Sequence, residues 1–236
     1  MNTILFDLDG TLLPMEQEVF LKGYMGALSA KLVPFGYEPK ALIGGVWKGM
    51  EAMVANDGRA TNEAVFWEAF SAVLGEGVRQ HEAVFEEFYK NEFVAAKEGT
   101  SCAPQAAMVI RTLREKGYEL ILATNPVFPR VATLARMGWA GLDPADFRDI
   151  TTYEHYHACK PNPAYFREIL EKNGKTPADC LMVGNDTTED GCAEQVGIPL
   201  FFLTDCLINE KGTDIAQYRH GDFDTLLRFA ESLPQV

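Results

Sequence analysis

Apolar and polar positions divide this chain into two kinds of segment. Five short apolar runs, Ile4-Leu5-Phe6, Leu120-Ile121-Leu122-Ala123, Asp149-Ile150-Thr151, Cys180-Leu181-Met182-Val183 and Ile198-Pro199-Leu200-Phe201-Phe202-Leu203, end in polar residues. All but the last of those ends are rich in acids, Thr or Asn. Unbroken apolar runs of this length predict strands buried on both faces. Between the later runs, Pro104 to Lys116, Phe128 to Met137, Pro163 to Asn173 and Glu189 to Val196 carry helical spacing, and Gly117, Gly138 and Gly174 follow three of them as stop signals. This alternation predicts an α/β fold with a parallel sheet covered on both faces, in which ligands gather at the carboxyl ends of the strands.

The stretch from Pro14 to Gly99 is too long for one crossover and shows little strand signal. It predicts an inserted helical domain (14–99) within a core made of residues 1–13 and 100–236. Helices are expected near Met15 to Val33, Glu38 to Ala55, Asn62 to Leu74 and Gln80 to Ala96, separated by Pro34-Phe35-Gly36, Asn56-Asp57-Gly58 and Gly75-Glu76-Gly77. Phe66, Ala69, Phe70 and Val73 are expected to face the core of that bundle.

Composition narrows the class. A chain of 236 residues with 47% apolar content can build a full core. No stretch approaches the ~18 uninterrupted apolar residues of a membrane helix. The start has no basic segment or cleavage site, so a cytoplasmic protein that begins in its fold is expected. Five cysteines without CxxC spacing signal neither a disulfide framework nor a zinc site. A net charge of -13 disfavours nucleic acid or an anionic membrane as partner. A small anionic substrate remains compatible, because lysine and metal charge can reverse the field inside a cleft.

Candidate chemistry begins after the first run, in Phe6-Asp7-Leu8-Asp9-Gly10-Thr11. Two acids at a strand end repel unless a cation sits between them, and a hard ion such as magnesium takes such oxygen ligands. Asp9-Gly10 is also an ordinary turn signal. A calcium loop starting at Asp7 fails at its sixth position, where Leu12 replaces the required glycine. A second acidic group follows the fourth run, in Gly184-Asn185-Asp186-Thr187-Thr188-Glu189-Asp190, where Asp186 and Asp190 fall on one side of a helical turn and Asp186 or Thr187 can cap a helix. Thr124 and Asn125 offer a hydroxyl and a turn for a phosphate oxygen. Lys160 precedes a proline-initiated helix and, taken alone, reads as a surface charge. His155 and His157 read as loop residues rather than ligands, and Cys159, beside Lys160, is a candidate for a lowered pKa.

Acids, hydroxyl, lysine and acids in this order resemble the four motifs of the haloacid dehalogenase superfamily, over essentially the full length. The resemblance implies a Rossmann-like, doubly wound core with an inserted all-helical cap that closes over the site. It also implies that Asp7 attacks phosphorus to form an aspartyl phosphate, that Asp9 acts as general acid and base, and that Thr124 and Lys160 stabilise the transferring group. Thr11 and Asn125 join as phosphate-binding residues. Mg2+ is implied on Asp7, Asp9 and Asp186, with Asp190 as an outer or alternative ligand. Dehalogenases of the same fold lack the acid at the position of Asp9, so the resemblance implies a phosphatase acting on a small phosphorylated metabolite. A phosphomutase shares all four motifs. A phosphonate hydrolase would need a cap lysine such as Lys22 or Lys48, and a receiver-like phospho-acceptor or a scaffold is the non-enzyme alternative. Pro14, Met15, Gln17 and the segment Gly44 to Lys48 are candidates for contact with the leaving group. Substrate and oligomeric state stay open.

Overall fold

The computed structural model describes all 236 residues. Ile4, Leu5 and Phe6 offer apolar side chains to both faces of an extended segment, so Thr3–Phe6 (β1) takes the middle of a sheet. Glu119–Leu122 (β2) and Cys180–Gly184 (β4) flank it, Asp149–Ile150 (β3) lies outside β2, and Leu200–Leu203 (β5) and Arg219–Gly221 (β6) extend the other side. The order is β3-β2-β1-β4-β5-β6, and every pair is parallel. The alternation within strands is visible in the packing. Ile4, Phe6, Leu120, Leu122, Leu181 and Val183 meet one layer of helices, whereas Leu5, Ile121, Met182, Leu200 and Phe202 meet the other.

The first layer is formed by Pro104–Glu115 (α5), Arg130–Trp139 (α6) and Phe223–Ser232 (α8), the second mainly by Ala164–Asn173 (α7). Register fixes where the strands stop. Phe6 pairs with Leu122 on one side and Val183 on the other, so the residues that follow, Asp7, Ala123-Thr124 and Gly184-Asn185, emerge along one edge.

Two elements depart from the sequence expectation at the C-terminal side. β6 is a short polar edge strand without an apolar run, and α8, capped where the Asp222 side chain accepts from the Thr225 amide, follows it. The helix expected over Glu189 to Val196 is instead a tight turn followed by a 3-10 segment at Gly191–Val196. The Asp190 carboxylate turns back to accept from the amides of Asn185 and Asp186, which closes the turn before a helix can start.

Between β1 and β2 lie Gln17–Leu32 (α1), Pro39–Val54 (α2), Asn62–Leu74 (α3) and Glu82–Lys90 (α4). The single helix expected from Gln80 to Ala96 is broken at Asn91, whose side chain donates to the Glu87 carbonyl; 3-10 segments at Glu76–His81 and Glu92–Gly99 flank α4. On α3 the buried face is Val65, Trp67, Phe70 and Ser71, while Val73 is exposed, so the expected face is rotated. The cause is the fit of α3 on α2. A Cβ at Gly49 would stand 2.3 Å from the Phe66 ring, and only a glycine there lets the helices approach so closely. The insert's apolar cluster also takes in Phe128 and Ala132, the former just before α6 and the latter within it.

Candidate active site

Asp7 leaves β1 with its amide donating to the Val183 carbonyl at 2.9 Å. This backbone bond seats the residue at the sheet edge before any side chain acts. The turn that follows requires Gly10: its φ is +82°, and a Cβ there would lie 2.3 Å from Asn185 Nδ2. The chain then brings Thr11 back under Asp7. Thr11 is fully buried, and its Oγ1 lies 3.2 Å from Asp7 Oδ2 and 3.0 Å from Asn185 Oδ1. It does not line the cleft, which departs from its expected place on a phosphate; its hydroxyl faces the Asp7 carboxylate instead.

Lys160 is not a surface charge. Its side chain is 1% exposed, and Nζ donates to Asp7 Oδ1 at 2.9 Å and to Asp190 Oδ1 at 2.6 Å. Burial works against the ammonium, but the charges of Asp190 and Asp7 overcome it and hold the Lys160 pKa well above the ordinary value. Burial likewise pushes Asp190 up, to about 6, against the opposing pull of Lys160. Asp190 therefore joins Lys160 to the β4 turn. Asn125 braces the same lysine from the other side. Its Oδ1 accepts from the Lys160 amide at 3.1 Å, and its Nδ2 donates to the Lys160 carbonyl at 3.3 Å and to Glu189 Oε2 at 3.1 Å.

Asp186 Oδ1 accepts from the amides of Thr188 and Glu189 at 2.7 and 3.0 Å, so it closes a turn where the sequence predicts the cap of a helix. Its other oxygen accepts none of the chain's hydrogen bonds. Thr124, 2% exposed, uses its carbonyl to accept from Thr151 and Tyr165, so the side chain is left to the cleft wall. Asp7, Asp9, Thr124, Asn125, Asp186 and Asp190 thus line one cleft of about 300 Å³, closed on the insert side by Met15, Gln17, Phe20, Leu21, Trp47 and Met50. Of the leaving-group candidates, Met15, Gln17 and Trp47 line this cleft, whereas Pro14, Gly44, Gly45, Val46 and Lys48 do not; of the two cap lysines, Lys22 also lies outside it and Lys48 is exposed and paired with Glu51.

Several residues of the site escape sequence reading. Arg136, on α6, has its side chain buried to 1% and donates through Nη1 to Asp9 Oδ2, with its guanidinium stacked 4.4 Å above the Phe128 ring. Asp9 Oδ1 is buried without a partner. Burial pushes the Asp9 pKa up, Arg136 pulls it down, and the charge of Asp7 adds to the rise. A signal for Arg136 exists in the sequence: a charge interrupts the buried face Ala132, Thr133, Arg136, Met137 of an amphipathic helix. Glu189 is the second such residue, raised to about 7 mainly by burial, against the opposing pull of Lys160. Cys159 corrects an expectation. Burial, aided by Glu189 and Glu168, pushes its thiol up rather than down. His157 Nδ1 meets Glu168 Oε1 at 2.8 Å, a loop contact as expected.

No three His, Cys, Asp or Glu side chains converge tightly enough to hold an ion by themselves. The donors available are the carboxylates of Asp7 and Asp186, and the Asp9 carbonyl, which accepts no backbone hydrogen bond. A sparse all-oxygen set suits magnesium, which keeps waters and substrate phosphate oxygens in its shell, and does not suit a closed zinc site.

A carboxylate at the end of the central strand, a buried lysine across from it and acids after the neighbouring strand are the arrangement of a hydrolase of the haloacid dehalogenase type. The family description haloacid dehalogenase-like hydrolase matches residues 1–196, and the chain belongs to this family. Among curated proteins it is 28% identical to phosphoglycolate phosphatase of Escherichia coli K12 over 213 residues, covering 85% of this chain and 80% of that protein. It is 31% identical to the Rhodospirillum rubrum phosphoglycolate phosphatase over 107 residues, 45% of this chain and 43% of that one. The fold resembles a HAD phosphatase from Thermococcus onnurineus (TM-score 0.58, 20% identity, all of both chains). It resembles equally L-2-haloacid dehalogenase from Xanthobacter autotrophicus (TM-score 0.56, 18% identity, 99% of each).

Proposed function

We propose that this hydrolase is a magnesium-dependent phosphomonoesterase working through an aspartyl phosphate on Asp7. The observation that carries the reading is the Lys160 bridge, which fixes one oxygen of the Asp7 carboxylate and leaves the residue facing the cleft beside Asp9. Fold neighbours include both phosphatases and dehalogenases, so the architecture does not choose between phosphorus and carbon. Asp9 does, because only an ester oxygen that leaves as an alkoxide needs a proton donor two residues from the nucleophile.

An Asp7 oxygen attacks phosphorus, the bond from phosphorus to the ester oxygen breaks, and the Asp9 proton goes to the departing alcohol. Asp9 then takes a proton from water, whose oxygen displaces Asp7 and releases inorganic phosphate. The raised Asp9 pKa supports a carboxyl that carries this proton, and Arg136 holds it in place. Thr11 orients Asp7, and the Thr124 hydroxyl with the amide after it faces the transferring oxygens. Asn125 supports Lys160 while remaining at the cleft wall. Magnesium would be held by Asp7, the Asp9 carbonyl and Asp186, with Asp190 outside its shell, and would supply charge neutralisation for the phosphoryl group. We take residues 14–99 as the cap that selects the alcohol. The positions of Lys22 and Lys48 outside the cleft speak against an imine-forming phosphonate hydrolase. Five free thiols and the absence of any helix long and apolar enough to cross a membrane fit a cytoplasmic enzyme.

Phosphate release from an aryl phosphate with magnesium tests the reading. Wild type is expected to turn over many times, and Asp7→Asn to lose at least about a thousandfold. Undiminished turnover by the variant would remove Asp7 as nucleophile, and a single turnover by wild type would favour a phospho-acceptor.

A further inference from the structure

Beside the catalytic cleft, beneath the insert, lies a second cavity of about 600 Å³. Met50 and Val127 line both. Phe20 lines the cleft, and Tyr24, one turn further along α1, lines the cavity. The segment after β2 runs from Thr124 and Asn125 in the cleft to Val127 and Phe128 in the cavity wall. An alcohol esterified to a phosphate at Asp7 has this cavity as its neighbouring space.

The walls are aromatic. Trp67 and Phe85 meet edge to face at 5.4 Å, Phe66 and Tyr153 lie 6.3 Å apart, and Tyr24 and Phe128 lie 5.5 Å apart. The charged groups among them are Glu63, Glu82, Glu86 and Glu154 against Arg130 alone. Glu82 is neutralised by Arg79 at 2.7 Å and Glu86 by Lys90 at 2.5 Å. Neither Glu63 nor Glu154 has a basic side chain at ion-pair distance, unlike Glu82 and Glu86. Glu154 Oε1 accepts from the Arg130 amide at 2.7 Å, while its Oε2 is buried with no partner. Burial, with the charges of Glu154 and Glu82, raises the Glu63 pKa against the opposing pull of Arg79 and His155. One ring already carries a cation: the Arg79 guanidinium stands 5.1 Å from the Trp67 ring centre.

We propose that this cavity receives the leaving-group end of the substrate and that this end is a cation, the ammonium or quaternary ammonium of a phosphorylated amino alcohol. Aromatic faces attract such a charge through their quadrupoles, and a desolvated cation is where that attraction is strongest. Glu63 and Glu154 supply the two carboxylates of the wall that form no ion pair. The same surplus of acid repels a leaving group that carries a carboxylate. The proposal rests on the phosphatase reading for the location of the phosphate, but the cavity's preference for cations does not.

The test uses the full-length protein with magnesium, and phosphocholine, phosphoethanolamine, phosphoglycolate and p-nitrophenyl phosphate as probes, with calorimetric binding of choline measured separately. Phosphocholine or phosphoethanolamine is expected to exceed phosphoglycolate in kcat/KM by about tenfold or more, and choline to bind in the absence of turnover. Glu154→Gln and Glu63→Gln, which keep shape and so keep the fold, are expected to lower the ratio of phosphocholine to p-nitrophenyl phosphate turnover severalfold, through KM, and to weaken choline by a similar factor. Hydrolysis of p-nitrophenyl phosphate with no preference for the cationic esters and no choline binding would overturn the proposal and leave the phosphatase reading standing. Choline binding that weakens in Glu154→Gln while no ester is hydrolysed would uphold the cation site and overturn the phosphatase reading.

Discussion

In the proposed catalytic cleft the charged groups stand at the ends of β1 and β4, on the loop after β3 and, for Arg136, on α6. Their partners are backbone amides and one another: Lys160 with Asp7 and Asp190, Asp190 with two amides, Asp186 with two more. In the cavity next to it the charged groups ride on α3, α4, the start of α6 and a loop, and two carboxylates form no ion pair. The cleft is thus positioned by strand register, which shifts only if the sheet itself rearranges. The cavity is positioned by helix packing, which a single side chain can alter. The proposed chemistry thus falls on the part that is hard to move, and the proposed selection of the alcohol on the part that is easy to move.

The largest way to break that contrast is to remove the cation that ties the cleft together. Lys160→Met leaves Asp7 and Asp190 facing each other in a buried site, and breaking a buried pair costs about 3–5 kcal/mol. A denaturation midpoint should show that loss, and magnesium-dependent turnover should fall roughly 100- to 1000-fold. A variant that kept both properties would show that register alone holds the site.

Arg136 joins the two regions, since it bonds to Asp9 in the cleft and stacks on Phe128 in the cavity wall. Arg136→Met should cost on the order of 2 kcal/mol, less than a fully buried pair because the Asp9 side chain remains 28% exposed. With Asp9 no longer held, kcat for an aryl phosphate should drop roughly 10- to 100-fold. Wild-type kcat in a folded Arg136→Met variant would reduce the arginine to a packing element.

Glu189 is expected to change stability alone, without the loss of turnover, and with a sign that can be worked out. Its carboxyl is raised from the ordinary 4.5 to about 7. Between these values the folded protein keeps a proton that the unfolded chain releases, so stability from this group falls as pH rises from about 5 to 7 and stays lower above. Without divalent ions, Glu189→Gln should therefore gain on wild type by on the order of 1–3 kcal/mol between pH 5 and 8, read as a difference in melting temperature. Parallel pH profiles would contradict a raised Glu189.

The strand ends carrying Asp7, Thr124 and Asp186 were legible because apolar runs that stop at acids and hydroxyls report buried strands and their exposed edge in the same few residues. The lysine was legible only in company: nothing around Lys160 in sequence announces a fully buried ammonium, since its two partners are 153 and 30 residues away. Thr11 and Asn125 were legible as site residues but not in their orientation. Which atom a buried hydroxyl or amide faces is decided by neighbours such as Asn185 and Glu189 that only the fold supplies. β6 escaped because an edge strand needs no apolar run, and the end of α4 because a side chain at Asn91 outcompeted the next helical bond. The aromatic cavity was least legible of all. Phe66, Trp67 and Phe85 follow a helical period that ordinary packing would also produce, and the void between them depends on how α3 leans on α2.

Phe128 has one more consequence, for exchange of parts between related chains. The chain crosses into and out of the helical insert near residues 14 and 99, yet the insert's apolar cluster is completed by Phe128 and Ala132, and Phe93 of the insert stacks on Trp139 at 5.3 Å. A graft cut at the two crossings would strip three side chains of their partners. A viable exchange would have to carry the stretch from Phe128 to Trp139 along with it. Recombination among relatives would therefore be expected to inherit these two stretches together, although more than twenty residues of catalytic core separate them in sequence.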